Sequence, residues 1–170
     1  QGDAAKIAKM FYLQNPLYKW ITFKELRGIP KRQFAEELGK SCLAVWLDDR
    51  AGFGTFPLEA MQCNTPVIGK MPNMIPEWME EIDAEGNGRV KNNGVWTNTH
   101  LNIPELIATY MKVWLEDTVP QDLLDGMEST KNVYTPEKQK EAIENVYGAI
   151  VKDRVSEFNN VLEQITETAQ

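Results

Sequence analysis

Leu43-Ala44-Val45-Trp46-Leu47 is an unbroken apolar run of strand length, and it leads straight into Asp48-Asp49-Arg50-Ala51-Gly52-Phe53-Gly54-Thr55-Phe56-Pro57-Leu58-Glu59-Ala60-Met61. An apolar run without alternation suits a parallel strand covered on both faces. Two glycines make the first half of the following stretch a loop. Pro57 fits the first turn of a helix that lasts until about Cys63. Thr65-Pro66-Val67-Ile68-Gly69 then reads as another strand. Strand, loop, helix and strand in this order form the repeating unit of a parallel α/β sheet, because parallel neighbours need a crossover between them.

Upstream, Asp3 is placed to cap a helix reaching about Gln14, with Ile7, Met10, Phe11 and Tyr12 as its apolar positions. Asn15-Pro16 stops it, and Trp20-Ile21-Thr22-Phe23 reads as a short strand. Gly28 and Pro30 punctuate the next loop, and a helix over 31–40 places Phe34 and Leu38 one turn apart. Downstream, Pro72 to Pro76 is a turn region, with a short helix expected from near Pro76. Gly86-Asn87-Gly88 and Asn92-Asn93-Gly94 are turn clusters, and Gly94-Val95-Trp96 is a short extended piece. Ile103, Leu106, Ile107, Tyr110, Met111 and Trp114 follow helical spacing from about Asn102 to Glu116. A smaller helix is expected over 120–127 and a long one over 136–168. In the latter, Ile143, Tyr147 and Ile150 lead by the same stepping to Arg154, while Val151, Val155, Phe158, Leu162 and Ile165 resume one residue out of phase. A break near Asp153–Ser156, or a change in the covered face, is expected.

This alternation predicts an α/β protein with a Rossmann-like, doubly wound parallel sheet and long C-terminal helices. The leading helix has no strand before it and the chain does not open with Met, so a truncated sheet lacking its first strand is expected. The expected organisation is a sheet domain over 1–130 and a C-terminal helical segment over 131–170 packing on it.

A length of 170 residues allows one domain, or one and a half. Apolar residues at 42% and charged residues at 25% describe a globular chain and exclude a disordered tail or a fibre. No apolar run approaches the roughly 18 residues of a membrane span, and the opening residues do not read as a secretory signal. Residues 1–115 carry 13 basic and 13 acidic side chains, whereas 116–170 carry 5 and 12. The net charge of −7 therefore belongs to residues 116–170, as a solvated helical face, and no basic stripe speaks for nucleic acid. Cys42 and Cys63 sit at the edges of apolar segments and read as buried free thiols in a reducing, cytoplasmic setting. One histidine and no cysteine pair at ligand spacing argue against zinc.

In an open α/β sheet, ligands bind beyond the carboxyl ends of the strands, which is where Gly52-Phe53-Gly54-Thr55 lies. Glycines let the backbone approach a ligand, and the helix start behind them offers unpaired N–H groups and the positive end of a dipole. An anion such as a diphosphate suits that combination. Glu59, one turn in, is placed to accept hydrogen bonds from sugar hydroxyls. Pro57 occupies the third glycine's place in a dinucleotide fingerprint, and no Gly-Lys-Ser/Thr follows, so neither that motif nor a P-loop is present. Without more, a plain glycine-rich connection and a solvated carboxylate explain the stretch equally well.

The whole string from Ala51 to Gly69, with its Leu58-Glu59-Ala60-Met61-Gln62-Cys63-Asn64-Thr65-Pro66-Val67 run, resembles the donor-binding segment of retaining, nucleotide-sugar-dependent glycosyltransferases of the GT-B fold. The resemblance covers about twenty residues without a gap, and the order downstream, from Pro76-Glu77 to the terminal helices, is similar to that family's C-terminal domain. It implies half of a GT-B fold: the donor-binding half of an enzyme that transfers a hexose from a nucleotide diphosphate sugar to a saccharide or similar acceptor, inactive alone. By the same resemblance Glu59 binds the donor's ribose, and backbone amides around Gly52, Phe53, Gly54 and Thr55 face the sugar and diphosphate. The loop Leu26-Arg27-Gly28-Ile29 takes the position of the nucleobase contact.

The partners so implied are the nucleotide sugar, as substrate rather than cofactor, and an absent N-terminal acceptor domain; peripheral membrane contact of the full enzyme is compatible with it. No metal is implied. The family's first Glu, eight positions before the second and directed at the transferred sugar, is replaced by Ala51. That departure keeps two alternatives open: a non-catalytic GT-B-like module, and a nucleotide-sugar epimerase of the same architecture. No catalytic base emerges. Asp48, Asp49 and Arg50 compete with a solvated strand end, and Asp48-Asp49 as a metal pair lacks alternation. His100, beside Asn98, Thr99 and Asn102, reads as a surface or capping residue. Trp46 and Trp114 read as core, while Trp78 and Trp96 stay open between core and ligand stacking.

Overall fold

The structure is a computed structural model and describes residues 2–48, 53–116 and 119–168, with side chains described from 3 to 160 within those ranges. Helix α1 (Gly2–Gln14) is followed by a 3-10 turn, Pro16–Tyr18, and then by α2 (Lys31–Lys40), β1 (Ala44–Trp46), α3 (Thr55–Gln62) and β2 (Val67–Lys70). After a 3-10 turn at Glu77–Met79 come β3 (Glu80–Ile82), β4 (Gly88–Val90) and β5 (Val95–Thr97), a 3-10 turn at His100–Asn102, α4 (Ile103–Glu116), α5 (Gln121–Val133) and α6 (Pro136–Thr168). The chain divides into two compact units, Gln1–Asn132 and Val133–Gln170.

The first unit is built on a three-stranded parallel sheet in the order β1-β2-β5. Its register aligns Val45, Ile68 and Val95 across the sheet, and Trp46, Gly69 and Trp96 one residue further. Because successive side chains on a strand point to opposite faces, the two rows serve different layers. Val45, Ile68 and Val95 meet a cluster formed by Ile7 and Phe11 of α1 and Ile103, Ile107 and Met111 of α4. Phe11 is fully buried and touches the rings of Tyr12, Tyr18 and Phe23 at 5.3–6.2 Å between centroids. On the other face Gly69 makes room for indoles: a Cβ there would stand 3.0 Å from the Trp46 carbonyl and 3.1 Å from the Trp96 ring.

Helices α2 and α3 join through the Phe34 and Phe56 rings, 6.0 Å apart, and the hydroxyl of buried Thr65 donates to the Leu38 carbonyl at 2.7 Å. Helix α5 lies so close to the 92–93 turn that a Cβ on Gly126 would sit 2.0 Å from the Asn92 carbonyl oxygen. Strands β3 and β4 form a separate antiparallel hairpin. Asp83 folds its turn by accepting from the amides of Asn87 and Glu85 at 2.7 and 3.1 Å, and these bonds, the Asn87 amide first, hold its carboxyl below the ordinary range.

The α/β class and the parallel sheet agree with the reading of the sequence, with corrections in detail. Trp20-Ile21-Thr22-Phe23 is no strand: residues 21–27 carry no ladder, and Trp20 is 61% exposed. A strand needs a neighbour to bond with, and the described residues supply none there. The extended piece at 94–96 is instead a full member of the sheet, as β5. The helix near Pro76 is a single 3-10 turn, and α5 extends beyond the expected 120–127. Cys42 is exposed rather than buried.

The second unit is α6, a single helix through the expected break at Asp153–Ser156. All four residues there are compatible with a helix, so the phase shift moves the apolar stripe around the axis without interrupting the backbone ladder. Ion pairs of i,i+3 and i,i+4 spacing, Lys138–Glu141 at 3.1 Å, Lys140–Glu144 at 3.7 Å and Arg154–Glu157 at 3.3 Å, line its surface.

Candidate functional site

Loop 47–54 leaves the carboxyl end of β1 and feeds α3. Of the residues singled out in the sequence, Gly52, together with Asp49, Arg50 and Ala51, lies outside the described residues. Phe53 is 47% exposed, but its carbonyl is tied down, accepting from Trp78 Nε1 at 2.6 Å. Gly54 is buried and left-handed, at φ 69° and ψ 73°, as the N-cap of α3. A Cβ on it would stand 2.8 Å from Trp46 Cζ2. Glycine is therefore required twice over, by the dihedral and by the indole behind it.

The N-cap Gly54 makes no side-chain hydrogen bond to α3, and among the described residues nothing bonds the amides of Thr55 and Phe56 at its positive end. Thr55 and Glu59 are both exposed and stand one turn apart on one face of α3. The next residue along that face is Cys63, which caps the carboxyl end of the helix. Its thiol is pushed up from the ordinary value, chiefly by burial and further by the negative charge of Glu59. Neutralising Glu59 removes part of that repulsion. In a Cys42→Ser background, Glu59→Gln should thus lower the Cys63 pKa and speed its alkylation by iodoacetamide at pH 8; an unchanged pH profile would show that the carboxylate does not reach the sulfur.

The second predicted segment, Leu26-Arg27-Gly28-Ile29, immediately precedes α2. Leu26 and Ile29 are half-buried, Arg27 and Gly28 exposed, and Gly28 turns the chain at φ 66°. Helix α2 starts after Pro30, again without a side-chain cap. The Phe34–Phe56 contact sets the first turns of α2 and α3 side by side, so both loops open beside two uncapped helix starts. Lys31 and Arg32 are exposed in the first turn of α2, with Arg32 paired to Glu36 at 3.1 Å. Lys70 ends β2 at the same carboxyl edge of the sheet as the 47–54 loop.

Behind the loop stands an anchor the sequence did not disclose. Trp46, Trp78 and Trp96 meet at 5.7–6.2 Å between centroids. Asn93, fully buried, organises them: its Nδ2 donates to the Trp78 carbonyl at 2.7 Å and to Thr130 Oγ1 at 2.9 Å, and its Oδ1 accepts from Trp96 Nε1 at 3.2 Å. Trp78, at 1% exposure, belongs to the core. Asn92-Asn93-Gly94 carries a turn signal, and three tryptophans far apart in sequence carry no spacing that would unite them; the signals were present but not addressed to one another.

Among the described residues, no group of three or more His, Cys, Asp or Glu is placed to hold a metal ion, and no helix is long and apolar enough to cross a membrane. His100 opens a 3-10 turn whose capping acceptor is Thr99, receiving Leu101 N–H at 3.3 Å, so His100 is not the cap. Its Nε2 is buried with no hydrogen-bond partner among the described residues. An open groove of about 670 Å³ runs along α1 between Ala5, Lys9, Leu13 and Lys19, and none of the candidate residues lines it. The chain matches no protein-family model, no curated protein and no solved structure with which it was compared.

Proposed function

We propose that this chain is the nucleotide-sugar-binding part of a retaining glycosyltransferase of the GT-B kind, and that its parallel sheet belongs to a doubly wound, Rossmann-like domain. The enzyme so assembled transfers a hexose from a nucleotide diphosphate sugar to a saccharide or similar acceptor, in the cytoplasm. The observation that carries the reading is Gly54, held left-handed against Trp46 as an N-cap that offers backbone and no side chain to the start of α3. In this reading the amides of Phe53, Gly54 and Thr55, with those of Gly52, receive the diphosphate. Glu59 accepts the ribose hydroxyls, and the Leu26-Arg27-Gly28-Ile29 loop borders the base. Catalysis then consists of stabilising the departing diphosphate by fixed N–H dipoles, which cost no reorganisation as charge develops. The acceptor is brought by a partner domain.

Calorimetric titration of the chain with UDP, GDP and their sugars tests this. One nucleotide should bind saturably, and Glu59→Ala should weaken it about tenfold, or roughly 1.4 kcal/mol. Binding that ignores the substitution would remove Glu59 from the site. Silence with every nucleotide, in this chain and joined to its acceptor domain, would leave a non-catalytic module as the reading.

A further inference from the structure

Asparagine precedes glycine twice in the chain, at Asn87-Gly88 and Asn93-Gly94, and the fold treats the two pairs in opposite ways. Such a pair carries its own chemistry. The glycine nitrogen can turn onto the side-chain amide before it, because a residue without Cβ adds neither bulk nor backbone restriction to that turn. Asn93 is withheld from this reaction. It is fully buried, its Nδ2 donates to the Trp78 carbonyl and to Thr130 Oγ1, and its Oδ1 accepts from Trp96 Nε1. Bringing its Cγ to the Gly94 nitrogen would break all three bonds inside a packed core.

Asn87 is exposed, as are Gly86 and Gly88 on either side of it, where the turn after β3 enters β4. The hairpin register leaves the Gly88 nitrogen outside the ladder. In an antiparallel pair, facing residues alternate between those that exchange hydrogen bonds and those that do not. Asp83 N–H donates to the Asn87 carbonyl at 3.0 Å and Lys91 N–H to the Met79 carbonyl at 2.8 Å, which marks both as bonded positions. Glu81 and Arg89 form the bonded pair between them, so Ile82 and Gly88 face each other as a non-bonded pair whose backbone groups turn away. Asn87 Nδ2, for its part, donates to Asp83 Oδ2 at 3.2 Å. A carboxylate thus stands beside the nitrogen that would depart and favours the proton it must gain.

We propose that Asn87 is a site of spontaneous deamidation, and that its conversion unfastens the β3–β4 hairpin. The Gly88 nitrogen bonds to Asn87 Cγ, the Cγ–Nδ2 bond breaks, and the proton of the Gly88 N–H leaves with Nδ2 as ammonia. Water then opens the cyclic imide at one of its two carbonyls, giving isoaspartate or aspartate at position 87. Nothing is oxidised or reduced. Both products set a carboxylate against Asp83 where a donor stood. Arg89, the nearest cation along the strand, is already paired with Glu81 at 2.9 Å. Isoaspartate also lengthens the backbone by one carbon at the bonded position next to the turn, which puts the ladder out of register. The site is independent of the nucleotide-sugar reading.

The full chain, held in mildly alkaline buffer and sampled over days, is digested and mapped by mass spectrometry, with isoaspartate marked by an isoaspartyl methyltransferase. Asn87 should convert at least about tenfold faster than Asn93 in the folded chain, and in urea, where the fold holds neither, the two rates should agree within about threefold. Gly88→Ala should slow conversion of Asn87 by at least about tenfold. That variant should keep its fold, because the nearest atoms to the new Cβ belong to the exposed Glu80 side chain, which is free to swing aside. The isoaspartate form, separated by anion exchange, should exchange its Asp83 amide at least about tenfold faster than fresh chain. Folded Asn87 converting no faster than folded Asn93, or more than about tenfold slower than in urea, overturns the site. Unchanged exchange at Asp83 in the converted chain overturns the release of the hairpin.

Discussion

Gly54→Ala should lower the unfolding free energy of the chain by about 3 kcal/mol, whereas Gly28→Ala should cost about 1. Both glycines hold a positive φ, 69° and 66°, so both replacements meet a comparable backbone penalty. Only Gly54 meets a second one. Its new methyl would stand 2.8 and 2.9 Å from two carbons of the Trp46 ring, whereas nothing lies within 4 Å of a Cβ at Gly28. The Trp46 indole is wedged among Trp78 and Trp96 and has little freedom to retreat. Urea denaturation of the two variants side by side separates the terms. Equal losses would mean that the Trp46 contact is soft, and the loop would no longer be rigid enough to preorganise an anion site.

Asn93→Leu should cost more, about 4 kcal/mol, through hydrogen bonds left unmade. Leucine nearly matches asparagine in size, but it strands the Trp78 carbonyl and the Trp96 indole N–H inside the protein. The orientation of the Asn93 amide follows from these partners, since a carbonyl only accepts and an indole N–H only donates. Thr130 loses less, because its hydroxyl also donates to the Gly126 carbonyl at 2.9 Å. Thr130→Ala is accordingly expected near 1 kcal/mol. The same denaturation curves check both values, and a neutral Asn93→Leu would show that water replaces the side chain. Because Trp78 holds the Phe53 carbonyl, Asn93→Leu should also weaken any nucleotide binding seen with the native chain, though Asn93 lies beneath the loop rather than at its surface.

Several elements of this architecture are written locally. Helix α2 with its Phe34–Leu38 spacing, helix α4 with its apolar stripe, and β1 and β2 as apolar runs all stand where periodicity puts them. Each is specified by residues within about one or two turns of one another. The turn at Gly28 and the start of α3 were legible for the same reason, since glycine and proline act on their own backbone. The strand at 20–23 was misread because composition reports the capacity to pair and not the presence of a partner. Trp20-Ile21-Thr22-Phe23 has the right residues, and no ladder reaches it. Gly94-Val95-Trp96 has fewer strand-forming residues, but β2 lies beside it and supplies the bonds.

For the site the division is similar. The sequence by itself determined that a glycine-rich loop joins β1 to α3, that Glu59 rides one turn into that helix, and that the net negative charge lies within residues 116–170. These follow from neighbouring residues and from charge counting. Only the tertiary structure decided that Trp46, Trp78 and Trp96 close behind the loop, that Asn93 binds two of them to α5, and that the starts of α2 and α3 come together. Apart from the bond between Asn93 and Trp96, three positions apart, those contacts join residues 15 or more positions apart. Sequence carries no periodic trace of such pairings, because their energy comes from the shape of a shared cavity rather than from the order of residues along the chain.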